Sequence, residues 1–287
     1  MKRFFYAAAV LFVAVSCGKN GLYINVDNTV WEYTTNTQTA WVDFLDGERA
    51  GIIGTNGSNY QTNTGTFTVD GHRVLFTSED GFSNQFVRTF SHLKNSKNKN
   101  YWTKSPEAIG NPKGSVWAAI VEGNLQMLYL ADNGYTLEGS FKNVSHKEGI
   151  PYGWSWKQKL YSTSGSRFVH GDEEGTSYGG FIRLPDYCIP CVNTPKEDAG
   201  FGGDLAGTVW TYETSGYPGF IIFTSNTEFT RVLVSSVYVF SVLNGTYSIK
   251  GNSLEFITDS EELNRTCRIS DGRFTYLEKT YSKAASF

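Results

Sequence analysis

The sequence predicts an all-β protein made of three antiparallel β-meander modules in tandem. Three observations carry that expectation. The 287 residues include 17 Tyr, 20 Phe, 7 Trp and 30 Gly, a composition that favours pleated, half-buried surfaces joined by tight turns. No stretch beyond the first sixteen residues shows the apolar period of an amphipathic helix. A tryptophan-centred block returns three times, and internal repetition of this kind sets the architecture.

The blocks are Asn28-Thr29-Val30-Trp31, Gly114-Ser115-Val116-Trp117 and Gly207-Thr208-Val209-Trp210. Eleven and thirteen residues after each tryptophan come Val42 and Phe44, Leu128 and Leu130, Ile221 and Phe223. A spacing of two puts each pair on one face of a strand. Turn formers follow at Asp46, Asp132 and Ser225, as hairpins require. Equivalent tryptophans point to core packing. Copies one and three also share a hairpin: Gly65-Thr66-Phe67 to Phe76 aligns without gaps on Gly245-Thr246-Tyr247 to Phe256, with Asp70-Gly71 and Lys250-Gly251 at the turn. In copy two, either Gly139-Ser140-Phe141 or Gly153-Trp154-Ser155-Trp156 fills that place.

Polar Lys94 to Asn100 and proline-bearing Pro185 to Gly207 read as linkers. The expected division is therefore residues 28–105, 106–195 (divergent) and 196–287, three units of ordinary small-domain size. Ahead of them stand residues 1–16 and a tether, 17–27.

Lys2 and Arg3 precede an apolar run from Phe4 to Val15 that ends at Ser16-Cys17. That run is too short for a permanent membrane span and has the flanks of a secretory signal. Ala14-Val15-Ser16-Cys17 resembles the lipobox of a bacterial lipoprotein. The resemblance implies cleavage before Cys17 and lipid attachment to it, so the membrane is the first expected partner. Residue 18 is Gly rather than Asp, and no acidic run follows Cys17. By the same resemblance this favours the outer membrane, facing the periplasm. Cleavage would remove two of the 25 basic residues, leaving 23 against 28 acidic ones, a balance that argues against nucleic acid as a partner.

The early Trp, the meander and the pattern G-T-[FY]-x-[IV]-x-G-x-x-[LV]-x-F, carried by Gly207 to Trp210, Phe220 to Thr224 and Gly245 to Phe256, resemble the lipocalin-like domains of bacterial lipoproteins. Val30-Trp31 and Gly65 to Phe76 match in part. What this implies is a binding or structural module rather than an enzyme, with a carrier of a small apolar ligand as the alternative.

Motifs with chemical potential are few. Cys188 and Cys191 form a C-x-x-C, but Pro195 breaks the helix that would lower a thiol pKa, so a structural disulfide or paired thiols is expected over redox catalysis. Ser177 sits in Gly175-Thr176-Ser177-Tyr178-Gly179, the spacing of a hydrolase nucleophile elbow, without the strand-before and helix-after context that motif needs. Ser91-His92-Leu93-Lys94 matches S-x-x-K alone. His72, His92, His146 and His170 lack metal-ligand spacing, and His170 to Glu174 reads as a solvated acidic loop. No catalytic, cofactor or metal residue is assigned. Tyr152, Trp154 and Trp156 alternate onto one strand face, and they are the expected binding face for a protein partner or a glycan unless they are buried between modules.

Overall fold

Each tryptophan block and the apolar pair that follows it form the two strands of one hairpin, three times over. Trp31 lies opposite Val42, Trp117 opposite Leu128 and Trp210 opposite Ile221. The computed structural model describes residues 23–105, 107, 113–131, 133–144, 148–149, 151–194, 204–212 and 217–286. Among these the chain is all-β, apart from one 3₁₀ turn at Glu261–Leu263.

The first eight strands are β1 (Thr29–Thr34), β2 (Thr39–Phe44), β3 (Arg49–Thr55), β4 (Asn59–Asp70), β5 (Arg73–Ser78), β6 (Ser83–Arg88), β7 (His92–Asn95) and β8 (Tyr101–Lys104). Each pairs antiparallel with the next, and β8 returns to β1, closing a ring. Next come β9 (Ser115–Val121), β10 (Asn124–Leu130), β11 (Tyr135–Lys142), β12 (Gly153–Ser164), β13 (Arg167–His170), β14 (Glu173–Ser177), β15 (Phe181–Arg183) and β16 (Cys188–Pro190). They form a second meander. Its ends meet through a bridge between Trp117 and Cys191 and a 2.8 Å bond from the Val192 N–H to the Val116 carbonyl. The last eight are β17 (Thr208–Tyr212), β18 (Gly219–Phe223), β19 (Glu228–Ser236), β20 (Val239–Lys250), β21 (Ser253–Thr258), β22 (Arg265–Arg268), β23 (Arg273–Tyr276) and β24 (Lys279–Ser286). β24 pairs back onto β17, while β22 and β23 pack side by side without a ladder.

Side-chain alternation gives every ring an inside and an outside. Trp31, Phe44, Phe76 and Phe86 fill the first ring. Trp117, Leu128, Phe168 and Ile189 fill the second, and Trp210, Phe223, Phe256 and Phe274 the third. The indole N–H groups of Trp31, Trp117 and Trp210 each donate to the hydroxyl two residues earlier, at Thr29, Ser115 and Thr208, over 2.7, 2.7 and 2.9 Å. Residue i−2 lies on the same strand face. Without that acceptor the buried donor would cost about 1–3 kcal/mol.

The outer faces build a fourth core shared by all three rings, holding Val30, Val116, Val209, Tyr129, Ile222 and Phe240. The rings are also cross-linked. β4 and β20 pair at Tyr60 and Phe240, whose rings stack at 5.1 Å. The Tyr129 hydroxyl donates to the Thr224 carbonyl (2.9 Å) and the Thr62 hydroxyl to the Ile120 carbonyl (2.8 Å).

Three expectations are corrected. Lys94 to Asn100 is no linker. It holds the end of β7 and a turn in which the Asn95 side-chain oxygen accepts the N–H groups of Lys97 and Asn98, and the flanking Leu93 and Trp102 are buried in the first ring. The segment from Pro185 contains β16, so it is in part a strand of the second ring. The described end of the tether, from Tyr23, packs onto the first ring: Val26 is fully buried, and the Ile24 carbonyl accepts from Arg88 at 3.0 Å.

One buried ion pair joins the first two rings. Arg183 grips Asp43 through both carboxylate oxygens, and Asp43 has no solvent exposure. Burial pushes the Asp43 carboxyl above its ordinary range, and the guanidinium opposes that shift. Removing one partner strands the other charge, so Arg183→Met should lower the unfolding free energy by about 3–5 kcal/mol. The double variant Asp43→Leu/Arg183→Met should recover most of the loss. Urea denaturation reads both, and an unchanged midpoint in the single variant would refute the role of the pair.

Candidate functional site

Cys17 and His146 lie outside the described residues. The expected aromatic face opens β12. Trp154 and Trp156 stack at 5.0 Å and 14° between ring planes. Trp154 also meets Phe141 and, across the seam to the third ring, Phe220 at 5.8 Å. Trp156 covers Gly139, where a Cβ would come within 2.3 Å of the indole. Both indoles are half-buried against the shared core, and Tyr152 alone is exposed, at 59%. The pair closes the seam between two rings.

Cys188 and Cys191 are free thiols rather than a disulfide, as is Cys267. Three residues of extended chain span about 10 Å, beyond the roughly 7 Å limit for a disulfide. An odd spacing also sends the two side chains to opposite faces. Cys188 accordingly packs in the shared core, and Cys191 against the core of the second ring. Burial pushes the Cys191 thiol up to about 11 and the Cys188 thiol well above its ordinary value. Neither is a thiolate at neutral pH, and the thiolate is the nucleophile of thiol chemistry.

Ser177 ends β14, buried and paired with Ile182, and leads into β15 rather than a helix. Ser91 and Lys94 are separated in use. The serine hydroxyl lies 3.0 Å from His92 Nδ1, while the Lys94 ammonium sits over the Tyr101 ring.

His170, expected in a solvated acidic loop, is instead fully buried inside the second ring. The turns after β4, β12 and β20 place Gly71, Gly165 and Gly251 at φ of 54°, 60° and 59°. Counted from these glycines, the hairpin of the second ring begins at Lys159-Leu160-Tyr161, at neither alternative read from the sequence. Phe67 pairs Phe76, Tyr247 pairs Phe256, and Tyr161 pairs His170. His170 thus stands where the other rings hold a core phenylalanine, and Lys159 stands where they hold Gly65 and Gly245.

The substitutions create a charged cluster. The Lys159 ammonium lies 2.8 Å from Glu138 and 3.8 Å from Glu173. His170 Nε2 is 4.0 Å from Glu138 and Nδ1 is 3.7 Å from Glu173, yet neither ring nitrogen has a hydrogen-bond partner among the described residues. Burial lowers the His170 pKa, the Lys159 charge lowers it further, and the two glutamates oppose both. The imidazole is therefore neutral at neutral pH. Lysine already supplies the cation between the carboxylates, and no group of three metal-ligating side chains occurs among the described residues.

Clefts lie elsewhere, and two of them adjoin the first ring. The first, of about 180 Å³, runs along the seam between the first two rings. Its apolar wall includes Leu45, Ile53, Ala119, Val121 and Cys188, and Arg49 and Asp186 stand 3.7 Å apart among its lining. The second, of about 360 Å³, sits at the end of the first ring where the β1–β2, β3–β4 and β7–β8 turns converge. Tyr33, Tyr60 and Trp102 line it together with side-chain amides, and no acidic, basic or histidine side chain is among its described lining. Neither cleft is lined by His170 or Lys159.

No protein-family model and no curated protein matches the sequence. Among solved structures, the chain aligns with a DNA polymerase sliding clamp from Pseudomonas aeruginosa crystallised with a ligand, at 8% identity and TM-score 0.14, over 92% of this chain and 93% of that one. It aligns with the DNA polymerase III β subunit of Thermotoga maritima at 9% identity and TM-score 0.17, over 96% and 94%. The sliding clamp of Bacillus subtilis gives 6% and 0.14, over 91% and 92%. Likeness at this level carries no argument about fold or function.

A histidine whose folded pKa is depressed binds its proton more readily in the unfolded chain, so its contribution to stability is lost as pH falls below about 6.5. His170→Phe, which installs the residue of the other rings, should flatten the melting temperature between about pH 6.5 and 5 relative to the parent chain. Parallel curves for the two proteins would exclude His170 as the titrating group.

Proposed function

We propose that this chain is an outer-membrane lipoprotein, held by lipid on Cys17 and facing the periplasm, that acts as a non-catalytic binding module. Its three rings are read as tandem lipocalin-like modules. The shared Thr/Ser-Val-Trp entry, the indole-to-hydroxyl bond and the common order of eight strands support that reading.

One observation carries the binding function: the cleft at the turn end of the first ring. It is concave and lined by aromatic and amide side chains, and its described lining lacks any acid, base or histidine. Concavity combined with aromatic and amide groups is the character of a recognition surface. Loops carried on a rigid scaffold are the usual place for recognition. The apolar seam cleft beside Cys188 favours a second reading, carriage of a small apolar ligand held between rings rather than inside one.

The tether is tested by expressing the full chain and Cys17→Ser in a Gram-negative host supplied with radiolabelled palmitate. The parent chain should take up label and sediment with outer membranes, and the variant should do neither. Label on the variant, or a parent chain that stays soluble, would refute the anchor.

A further inference from the structure

Resting on the binding reading above, we propose that the cleft at the turn end of the first ring is a subsite for a neutral saccharide. A sugar ring offers an apolar C–H face and a rim of hydroxyls, each of which donates and accepts. Side-chain amides do both as well. The lining contains six of them: Gln38, Asn56, Asn59, Gln61, Asn98 and Asn100.

Two of these amides are fixed before any ligand arrives. Asn56 Oδ1 accepts the backbone N–H groups of Ser58 and Asn59 at 3.3 and 2.9 Å. Asn98 Oδ1 accepts the Asn100 N–H at 3.1 Å. The turns therefore hold each carbonyl and leave the NH₂ end to donate. An amide locked in this way loses little rotamer freedom on binding, which raises affinity without a new contact.

Tyr33 supplies the flat apolar surface. Its ring is half-buried and held against Trp102, with centroids 5.8 Å apart, so a rigid aromatic is presented at low entropic cost. The volume, about 360 Å³, falls in the range of about 300–1,000 Å³ typical of small-molecule sites.

Charge selects among sugars. A carboxylate or phosphate drawn into this cleft would shed water without gaining an ionic partner. Lys94 of β7, and Lys97 and Lys99 of the β7–β8 turn, do not line the cleft. Lys94 sits over Tyr101, and the Lys99 ammonium donates to the Ser96 carbonyl at 2.6 Å. A neutral ligand is what remains.

The test is calorimetric titration of the purified full chain, in a detergent that carries no sugar, with cellohexaose, maltohexaose, mannohexaose and N-acetylchitohexaose. Hexagalacturonate serves as the charged comparator. At least one neutral hexasaccharide should bind with Kd below about 1 mM, and hexagalacturonate should bind at least tenfold more weakly. Tyr33→Ala and Gln61→Glu should each weaken binding at least tenfold, while Phe90→Ala, outside the cleft, should leave it unchanged. Gln61 is exposed, so its variant keeps the test valid if Tyr33→Ala fails to fold. Titrations without heat for every neutral sugar, binding indifferent to Gln61→Glu, or tighter binding of hexagalacturonate would each overturn the proposal. Palmitate labelling of the same preparation is read separately: a labelled chain that ignores sugars loses this ligand and keeps the lipid tether.

Discussion

The Val-Trp dipeptide that opens each ring organises the molecule. In a strand, successive side chains face opposite ways. Trp31, Trp117 and Trp210 therefore turn into three separate ring cores, and Val30, Val116 and Val209 turn outward into one shared core. One pair of adjacent residues seals a ring and glues it to its neighbours. Shifting the register by a single residue would exchange those roles and place an indole in the seam. The same two-sided burial explains why β9, β10 and β18 are apolar along nearly their whole length, whereas β5 and β21 alternate buried and exposed.

Much of this was legible because the signals are local. The Thr/Ser-Val-Trp entry, the partner residues eleven positions on, and the Gly65 and Gly245 hairpins all depend on period two and on turn chemistry. What escaped depends on closure between distant strands. Lys94 to Asn100 reads as a linker because four residues of β7 and four of β8 are too short to show a period, and only ring closure buries Leu93 and Trp102. Cys188 and Cys191 read as a pair because sequence proximity says nothing about strand faces. The tether is partly structural for a related reason. Ile24 and Val26 are too short an alternation to read as structure, and much of the core they meet, Phe86, Leu93 and Trp102, lies far along the chain.

The second ring shows what a repeat hides when it is aligned on the wrong residue. Searching for Gly-Thr-Phe points to Gly139 or Gly153, whereas counting from the turn glycine, Gly165, puts Lys159 and His170 at positions that are glycine and phenylalanine in the other rings. A small residue and a large apolar one give way together to a base and an imidazole, and Glu138 and Glu173 come within reach of both. Buried charge of this kind is costly unless partnered. The lysine meets that cost through two carboxylates, and the histidine stays neutral. The divergence of ring two in sequence is thus a divergence of core chemistry rather than of fold, and ring three buries a cation of its own, Arg231, against the Tyr281 hydroxyl. Trp154 and Trp156 belong to the same ring but serve the seam, where Gly139 makes room for an indole that a Cβ would displace.

Filled rings and a shared apolar core restrict where a ligand can be held. The interiors are occupied by aromatic side chains, and the inward-facing walls are used in packing. The clefts beside the first ring accordingly lie where packing stops, one along a seam and one at the turn end of the ring. At that second place the first and third rings differ. The β3–β4 turn of the first ring carries Asn56 and leads into Asn59 at the start of β4, whereas the β19–β20 turn of the third carries Val237 and Tyr238 and is committed to packing: the Tyr238 carbonyl accepts from the Thr62 N–H, and Val239 forms part of the wall of the cleft of the first ring. The aromatic wall of that cleft, Tyr33, Tyr60 and Trp102, is shared with the cores, whereas Gln38, Asn56, Asn98 and Asn100 stand in turns, so selection on binding can act on these amides without disturbing the tryptophan that opens each ring.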